Sequence, residues 1–313
     1  MDEGDDSARL ERVVVTGAHG FLGRHVARAV AQRGARVIGL GHGEWSREEW
    51  EAWGLSEWHC RDVSLAALRQ RAGKPDVIFD CAGSGSVLFS IENPLADFER
   101  TVVSTAHVLE FVRKCAPLCR VVYPSSASVY GRALTVPISE DAVAAPISQY
   151  GTHKLMAEQM VGSYAHQFGI RTAIVRLFSV YGCGLRKQLL WDACEKFAAR
   201  DAVFMGCGDE VRDWLHVEDA VQLMLLAAER ASSDCVIVNG GSGAGVSVRE
   251  VLQELSAALG SGGALEFSGA ERAGDPSRYV AAIERSAEWG WSPQRDWRSG
   301  VAEYARWWMT ECG

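Results

Sequence analysis

Arg12-Val-Val-Val-Thr-Gly17-Ala-His-Gly20-Phe-Leu-Gly23 sets the architecture of this chain. Three consecutive valines closed by Thr16 predict a short strand buried on both faces. Glycines at 17, 20 and 23 follow at once, and the residues from Phe21 to about Gln32 read as a helix. After the break at Gly34, Arg36 to Leu40 reads as a second buried strand. Glycine allows a tight turn and close backbone approach, while the first amides of the helix attract an anion with the helix dipole behind them. Strand, glycine turn, helix and strand in that order predict an α/β fold, a doubly wound parallel (Rossmann) sheet with a pyrophosphate seat at its first turn. Gly17, Gly20, Phe21, Leu22 and Gly23 are the expected cofactor contacts there.

Further along, an acidic residue at the end of the second strand would accept hydrogen bonds from the adenosine ribose of NAD, but the chain has Gly41-His42-Gly43. Without a carboxylate to repel a 2′-phosphate, this position favours NADP over NAD, with His19, His42 or Arg47 as cationic neighbours. Ser46 and Glu49 form a capping box for a short helix, and Leu55 to Cys60 returns as a strand. Asp62-Val63 follows, where Asp62 either accepts from an adenine amino group or caps the helix that begins at Ser64. Asp76 to Cys81 is a further buried strand, ending in Ala82-Gly83-Ser84-Gly85-Ser86, small residues that let a cofactor or substrate approach the backbone. Pro94 to Cys115 reads as one long helix and Cys119 to Tyr123 as the next strand.

That strand delivers Pro124-Ser125-Ser126-Ala127-Ser128-Val129-Tyr130-Gly131 to its carboxyl end, the side on which open parallel sheets bind ligands. Past a proline-containing loop, Ser148 is placed to cap a helix bearing Tyr150 and Lys154, and Arg171 to Leu177 forms another strand. Tyr150 and Lys154 are four residues apart, so they share one helix face about one turn from each other. Tyrosine is a poor acid or base at neutral pH, and an ammonium beside it favours the phenolate, which suits proton transfer to oxygen. Ser126 is positioned to hold the reacting oxygen. The same spacing arises by chance on many amphipathic helices, so the pair takes its weight from the dinucleotide fold around it.

Composition narrows the field. A chain of 313 residues suffices for one large α/β domain and a smaller lobe. Its net charge of -8 supplies no basic field for nucleic acid or anionic membrane, and no apolar run reaches the length of a membrane span. Residues 1–11, acidic and polar, lack the order of a secretory signal and are expected to be disordered; the protein reads as cytoplasmic. Nine scattered cysteines form no zinc or disulfide framework, and no metal is expected. The last segment, Trp297 to Met309, reads as an amphipathic helix whose Trp307-Trp308 pair serves packing.

Taken together the motifs resemble the extended short-chain dehydrogenase/reductase family, in particular its nucleotide-sugar epimerases, dehydratases and reductases. The resemblance covers nearly the whole sequence. It rests on Thr16 to Gly23, Ser125 to Gly131, Tyr150 to Lys154, Arg176-Leu-Phe-Ser-Val-Tyr-Gly182, Arg212-Asp-Trp-Leu-His-Val-Glu-Asp219 and Arg272-Ala-Gly-Asp275. It implies an NAD(P)-binding Rossmann domain over 12–178, with interleaved segments to about 240, and a mainly substrate-binding α/β lobe over 179–313. In that reading Tyr150 moves a proton at the sugar oxygen, Lys154 holds the nicotinamide ribose and biases Tyr150, and Ser126 hydrogen-bonds the same oxygen. Asp62, Val63, Ala82, Gly83 and Phe178 join the cofactor site, together with His42. Ser84, Ser86, Ser179, Arg186, Arg212, Arg272 and Asp275 line the substrate site, the arginines suiting a diphosphate by bidentate geometry. A homodimer through the helix after Pro94 and the helix of Tyr150 is also implied.

Departures from the family pattern narrow the reaction. Dehydratases usually carry acidic residues just after the serine, where this chain has Ala127 and Ser128, so dehydration and decarboxylation are disfavoured. Ala127 also offers no cysteine for inverting two carbons. Thr101 replaces an asparagine common in the family, which removes the usual link behind Lys154. Redox at sugar C4 remains: a 4-keto sugar reductase, towards which Gly41 tips the balance, with a nucleotide-sugar 4-epimerase as the alternative. A non-catalytic dinucleotide sensor is the remote alternative, since such relatives typically lose the tyrosine or lysine that this chain keeps.

Overall fold

Val13, Val14 and Val15 are completely buried in the computed structural model, which describes residues 10–133, 135–261, 265–270 and 277–312. In chain order the elements are β1 (Arg12–Thr16), α1 (Phe21–Gln32), β2 (Arg36–Gly41), α2 (Arg47–Ala52), β3 (Glu57–Cys60), α3 (Leu65–Arg71), β4 (Val77–Asp80), α4 (Val87–Glu92), α5 (Pro94–Phe98), α6 (Ser104–Cys115), β5 (Arg120–Ser126), α7 (Gln149–Phe168) and β6 (Thr172–Leu177). There follow β7 (Ser179–Tyr181), α8 (Gln188–Ala198), β8 (Val203–Phe204), β9 (Val211–His216), α9 (Val217–Arg230), β10 (Val236–Gly240), β11 (Gly245–Ser247), α10 (Val248–Leu259), β12 (Glu266–Phe267), α11 (Glu284–Glu288) and α12 (Trp297–Cys312).

The central sheet has the order β10-β6-β5-β4-β1-β2-β3, and β1 pairs in parallel with both β2 and β4. Strand order therefore reverses between β1 and β4. In open α/β sheets that reversal is where ligands bind, and the glycine turn after β1 opens there. The expected doubly wound sheet is present. The chain forms two compact units: one up to Ser125 with His153–Val175 and Met224–Ile237, the other of Ser126–Thr152, Arg176–Leu223 and the residues from Val238.

In the first unit, Val14, Ile38, Leu68, Ile78, Phe111 and Val121 share one core cluster, and Leu109, Tyr123, Ala157, Val161, Ala165 and Ile174 share another. The α7 residues of the second cluster recur at helical spacing, and buried Lys154 and Glu158 extend the same stripe. Packing thus fixes the rotation of α7 and points Lys154 inward. The capping box at Ser46 and Glu49 forms as the sequence predicts, with Ser46 Oγ accepting from the Glu49 amide.

Some boundaries differ from the sequence reading. The helix expected over 94–115 is interrupted by a π turn at Glu99–Val103, which inserts a residue between α5 and α6. The strand expected from Leu55 begins at Glu57: the Leu55 amide still closes the turn after α2 on the Trp50 carbonyl, and the Ser56 amide makes the first bond to β2, at Val37. The last helix runs past Met309 and ends at Cys312.

In the second unit β9 pairs antiparallel with β11 and parallel with β7, giving a three-stranded sheet, while β8 and β12 pair in parallel. Ser247 and Glu250 close the second capping box, and Gly260 ends α10 in the left-handed conformation at φ +66°. Trp307 packs against Trp191 and Tyr304. Among the described residues no helix is long and apolar enough to cross a membrane, and no group of three or more His, Cys, Asp or Glu could hold a metal ion. Residues 1–9 of the expected disordered terminus, and Arg272 and Asp275, lie outside the described residues.

Candidate active site

At the glycine turn, the side chains that are missing decide the geometry. Gly17 has φ +63°, and a Cβ on it would lie 2.6 Å from the Cys81 carbonyl oxygen. One on Gly23 would lie 2.3 Å from the Gly17 carbonyl oxygen. Gly20 is the N-cap of α1 and provides no side-chain cap. The opening amides of a twelve-residue helix therefore follow a turn with glycine at both ends, which fits a pyrophosphate. Behind the turn, Thr16 Oγ1 donates to Asp80 Oδ1 at 2.6 Å and accepts from the Ala82 amide at 3.1 Å, while Thr105 Oγ1 donates to Asp80 Oδ2 at 2.8 Å. Asp80 is completely buried, and burial pushes its carboxyl up against those hydrogen bonds.

The three side chains named as neighbours of a 2′-phosphate have contacts of their own. His42 Nε2 lies 2.7 Å from Asp62 Oδ1, and Arg47 Nε donates to Glu51 Oε1 at 2.7 Å. His19 is pushed down by burial and by the Arg24 guanidinium, with its ring 5.0 Å from that of Trp45. The cations expected to receive the phosphate are thus engaged with carboxylates or held toward neutrality. Val63 packs against the core cluster of the sheet.

Lys154 is 6% exposed; its Nζ donates to the Pro124 carbonyl at 2.8 Å and sits 4.8 Å from the centre of the Tyr123 ring. Burial pushes its ammonium below the ordinary lysine range, opposed by Asp80, Cys81, Asp97 and Glu158. A Cβ on Gly83 would meet Thr101 Oγ1 at 3.4 Å and Lys154 Nζ at 3.9 Å, so the loop after β4 runs directly beside both. Thr101 Oγ1 and Ser125 Oγ are buried without a hydrogen-bond partner among the described residues. In the same loop Ser86 Oγ accepts from the Phe89 amide at 3.2 Å and caps α4, and Ser84 Oγ donates to Asp97.

In the second unit, Ser126 Oγ accepts from the Ser128 amide at 3.2 Å and starts the 3-10 turn Ala127–Tyr130; the bond leaves its own proton for another acceptor. Ser148 Oγ accepts from the Gly151 amide at 3.1 Å, the cap predicted for α7. A Cβ on Gly151 would lie 2.6 Å from the Ser128 carbonyl oxygen, so the glycine after Tyr150 lets α7 start against the serine turn. Tyr150 is half-buried in the first turn of α7, and Lys154 follows one turn on. Tyr130 donates to Asn239 Oδ1 at 2.7 Å beneath the Arg176 guanidinium, whose Cζ is 4.9 Å from the ring centre. Phe178 stands beside Tyr130 and Tyr279, its amide donating to the Gly240 carbonyl at 2.9 Å, and Ser179 opens β7 half-buried.

Arg186, expected at the substrate, lies beside the rings of Trp191 and Trp307, 5.8 and 5.6 Å from their centres, and pairs with Glu311. Arg212 is half-buried on β9, with Nη1 donating to the Val211 carbonyl at 2.9 Å. Four residues absent from the sequence reading emerge as well: buried Asp80, Asp97, His153 and Asp213. A carboxylate closing the apolar run Val77–Asp80 was a visible signal for the first. The Asp97–His153 contact spans 56 residues and left no local trace.

Residues 13–239 match the family model described as the NAD dependent epimerase/dehydratase family. A UDP-glucose 4-epimerase of Azospirillum brasilense is 32% identical, the match covering 97% of this chain and 93% of that protein. Among solved structures, a UDP-galactose 4-epimerase superposes with a TM-score of 0.84 at 29% identity, over 96% of this chain and 100% of the other. MoeE5 in complex with UDP-glucuronic acid and NAD superposes with a TM-score of 0.85 at 26% identity, over 96% of this chain and 99% of the other.

Proposed function

Because this chain belongs to the NAD dependent epimerase/dehydratase family, we propose that it is an NAD-dependent 4-epimerase of a UDP-hexose or UDP-hexuronate. The observation that carries the reading is the buried Lys154, one helical turn after Tyr150, in a chain similar along almost its whole length to UDP-sugar 4-epimerases. The lean towards NADP and 4-keto reduction, drawn from the missing carboxylate at Gly41, is given up. The candidate phosphate partners His42 and Arg47 are already paired with Asp62 and Glu51, and MoeE5 was solved with NAD.

Gly17, Gly20, Phe21, Leu22 and Gly23 would seat the pyrophosphate, Asp62 and Val63 the adenosine, and Ala82, Gly83, Lys154 and Phe178 the nicotinamide end. NAD, when bound, supplies the site that accepts hydride from sugar C4 and returns it to the opposite face. Tyr150 as phenolate takes the C4 hydroxyl proton while the oxygen becomes a carbonyl, and gives it back after the sugar has turned over. Lys154 stabilises the phenolate by its charge, and Ser126 donates to the same oxygen in both half-reactions. Ser86 and Ser179 contact the sugar, Ser84 serves the pocket through its loop with its hydroxyl on Asp97, and Arg212 and Arg272 hold the diphosphate. Arg186 belongs to the wall of the lobe rather than to the ligand.

The test incubates the purified protein with UDP-glucose, UDP-galactose and UDP-glucuronate and follows product by NMR. A C4 epimer appearing without net NADH or NADPH turnover is the expected result; stoichiometric NADPH consumption with a 4-keto sugar would replace the reading by reduction. Tyr150→Phe should lower kcat by about 10³-fold while NAD affinity stays within a few-fold of wild type.

A further inference from the structure

Among the buried acids of the first unit, Asp97 has no part in the roles assigned above. Asp97, on α5, is completely buried. Its Oδ2 lies 2.5 Å from His153 Nδ1, and its Oδ1 accepts from Ser84 Oγ. His153 is itself buried, its ring edge-on to Phe98 at 5.5 Å, and it immediately precedes Lys154. A carboxylate taken out of water must be given donors, and here both come from side chains rather than from the backbone. One belongs to the loop expected to line the sugar pocket, the other to the helix that carries the proton-transfer pair.

The helix just past Asp97 points the same way. It widens into the π turn Glu99–Val103, a distortion found mostly at functional sites, and turns Thr101 Oγ1 toward Gly83 without a protein partner among the described residues. Position 101 is where the family resemblance places an asparagine linked to the region behind Lys154. Asp97, four residues earlier, supplies a polar link to the lysine helix through His153.

We infer that Asp97 is a positioning residue: through Ser84 and His153 it locks the Gly83–Ser86 loop to the helix of Lys154. The groups facing Lys154 are Asp80 and Cys81 at the end of β4, Asp97 on α5, the Tyr123 ring on β5, and Glu158 on its own helix. Burial pushes the Cys81 thiol far up, so it stays neutral, and burial also pushes the Asp80 carboxyl up. Asp97 acts against the burial that drives Lys154 down. Removing its charge therefore lets the lysine lose its proton at lower pH, and whatever needs the ammonium fails earlier on the alkaline side.

The kinetic part of this inference rests on the proposed epimerase activity; the binding part does not. The experiment measures NAD affinity from pH 7 to 10.5, together with kcat and KM, for wild type and Asp97→Asn. At pH 7 the variant should bind NAD within about threefold of wild type, with kcat lower by about tenfold. The alkaline fall of both NAD affinity and kcat should move about half a pH unit or more to lower pH. His153→Gln, which keeps a neutral donor toward Asp97, should recover most of the kcat lost in His153→Ala. A variant with only a lower Tm, and with wild-type kcat and pH limbs, would overturn the inference. Should Asp97→Asn fail to fold, Ser84→Ala and His153→Ala carry the test: their kcat losses should be less than additive because both act through one carboxylate, and full additivity would sink the idea. Wild type silent on every sugar, yet shifted by Asp97→Asn in NAD binding, would fault the epimerase reading alone.

Discussion

Asp97 in the first unit and Asp213 in the second are both completely buried carboxylates. Asp213 accepts from the Ser242 amide at 2.5 Å, Ser242 Oγ at 2.7 Å, the Gly243 amide at 2.9 Å and the Ala281 amide at 3.1 Å. Three of the four donors are backbone, and a Cβ on Gly241 would come within 2.5 Å of the same carboxylate. Asp97 takes its donors from two side chains and lies in the field of an ammonium. Depth of burial is the same, so it cannot separate the roles; the kind of donor does. Backbone amides gathered on one acid fix the path of a loop. Side chains from two elements, gathered beside a charged lysine, fix reactive groups relative to each other.

The largest effect that tests this contrast is on stability. Asp213→Ala leaves three amides and a hydroxyl without their acceptor, and should cost about 4 kcal/mol in urea unfolding or prevent folding outright. Stability within about 1 kcal/mol of wild type would break the comparison at its structural end. Next comes Asp213→Asn, which keeps the shape but turns an amide group toward amide donors. It should lose about 2 kcal/mol while kcat per folded molecule stays at the wild-type level. Asp97→Asn should do the reverse, with a small change in Tm and a clear change in kcat.

The same contrast explains what could be read from the sequence. The glycine turn, the cap at Ser148 and the Tyr150–Lys154 spacing act within a few residues, through φ angles, amides and helical period, so composition and spacing reveal them. Ser126 was legible because the end of a parallel strand is where ligands meet the sheet. For Arg186 the sequence shows a cation in a basic stretch, and only the fold shows Trp191, Trp307 and Glu311 around it. The lean towards NADP finds no support, for a related reason: the absence of an acid at Gly41 was visible, whereas the pairing of His42 with Asp62 across 20 residues was not. Asp97 with His153 and Asp213 with Ala281 join residues 56 and 68 positions apart, and nothing local announces such pairs.

The smallest expected difference is the sharpest, because it removes the same group on each side. Ser242→Ala deletes one hydroxyl donor to Asp213 and leaves the three amides in place, so stability to unfolding should fall by about 1 kcal/mol and KM should not move. Ser84→Ala deletes one hydroxyl donor to Asp97, one of only two side-chain donors on that acid among the described residues. Its stability cost should be similar or less, yet KM for the UDP-sugar should rise about threefold to tenfold, since the loop it tethers meets the sugar. Measured side by side, equal stability losses with unequal kinetics would locate function in the donor set of a buried acid; kinetic changes in Ser242→Ala, or none in Ser84→Ala, would dissolve the distinction.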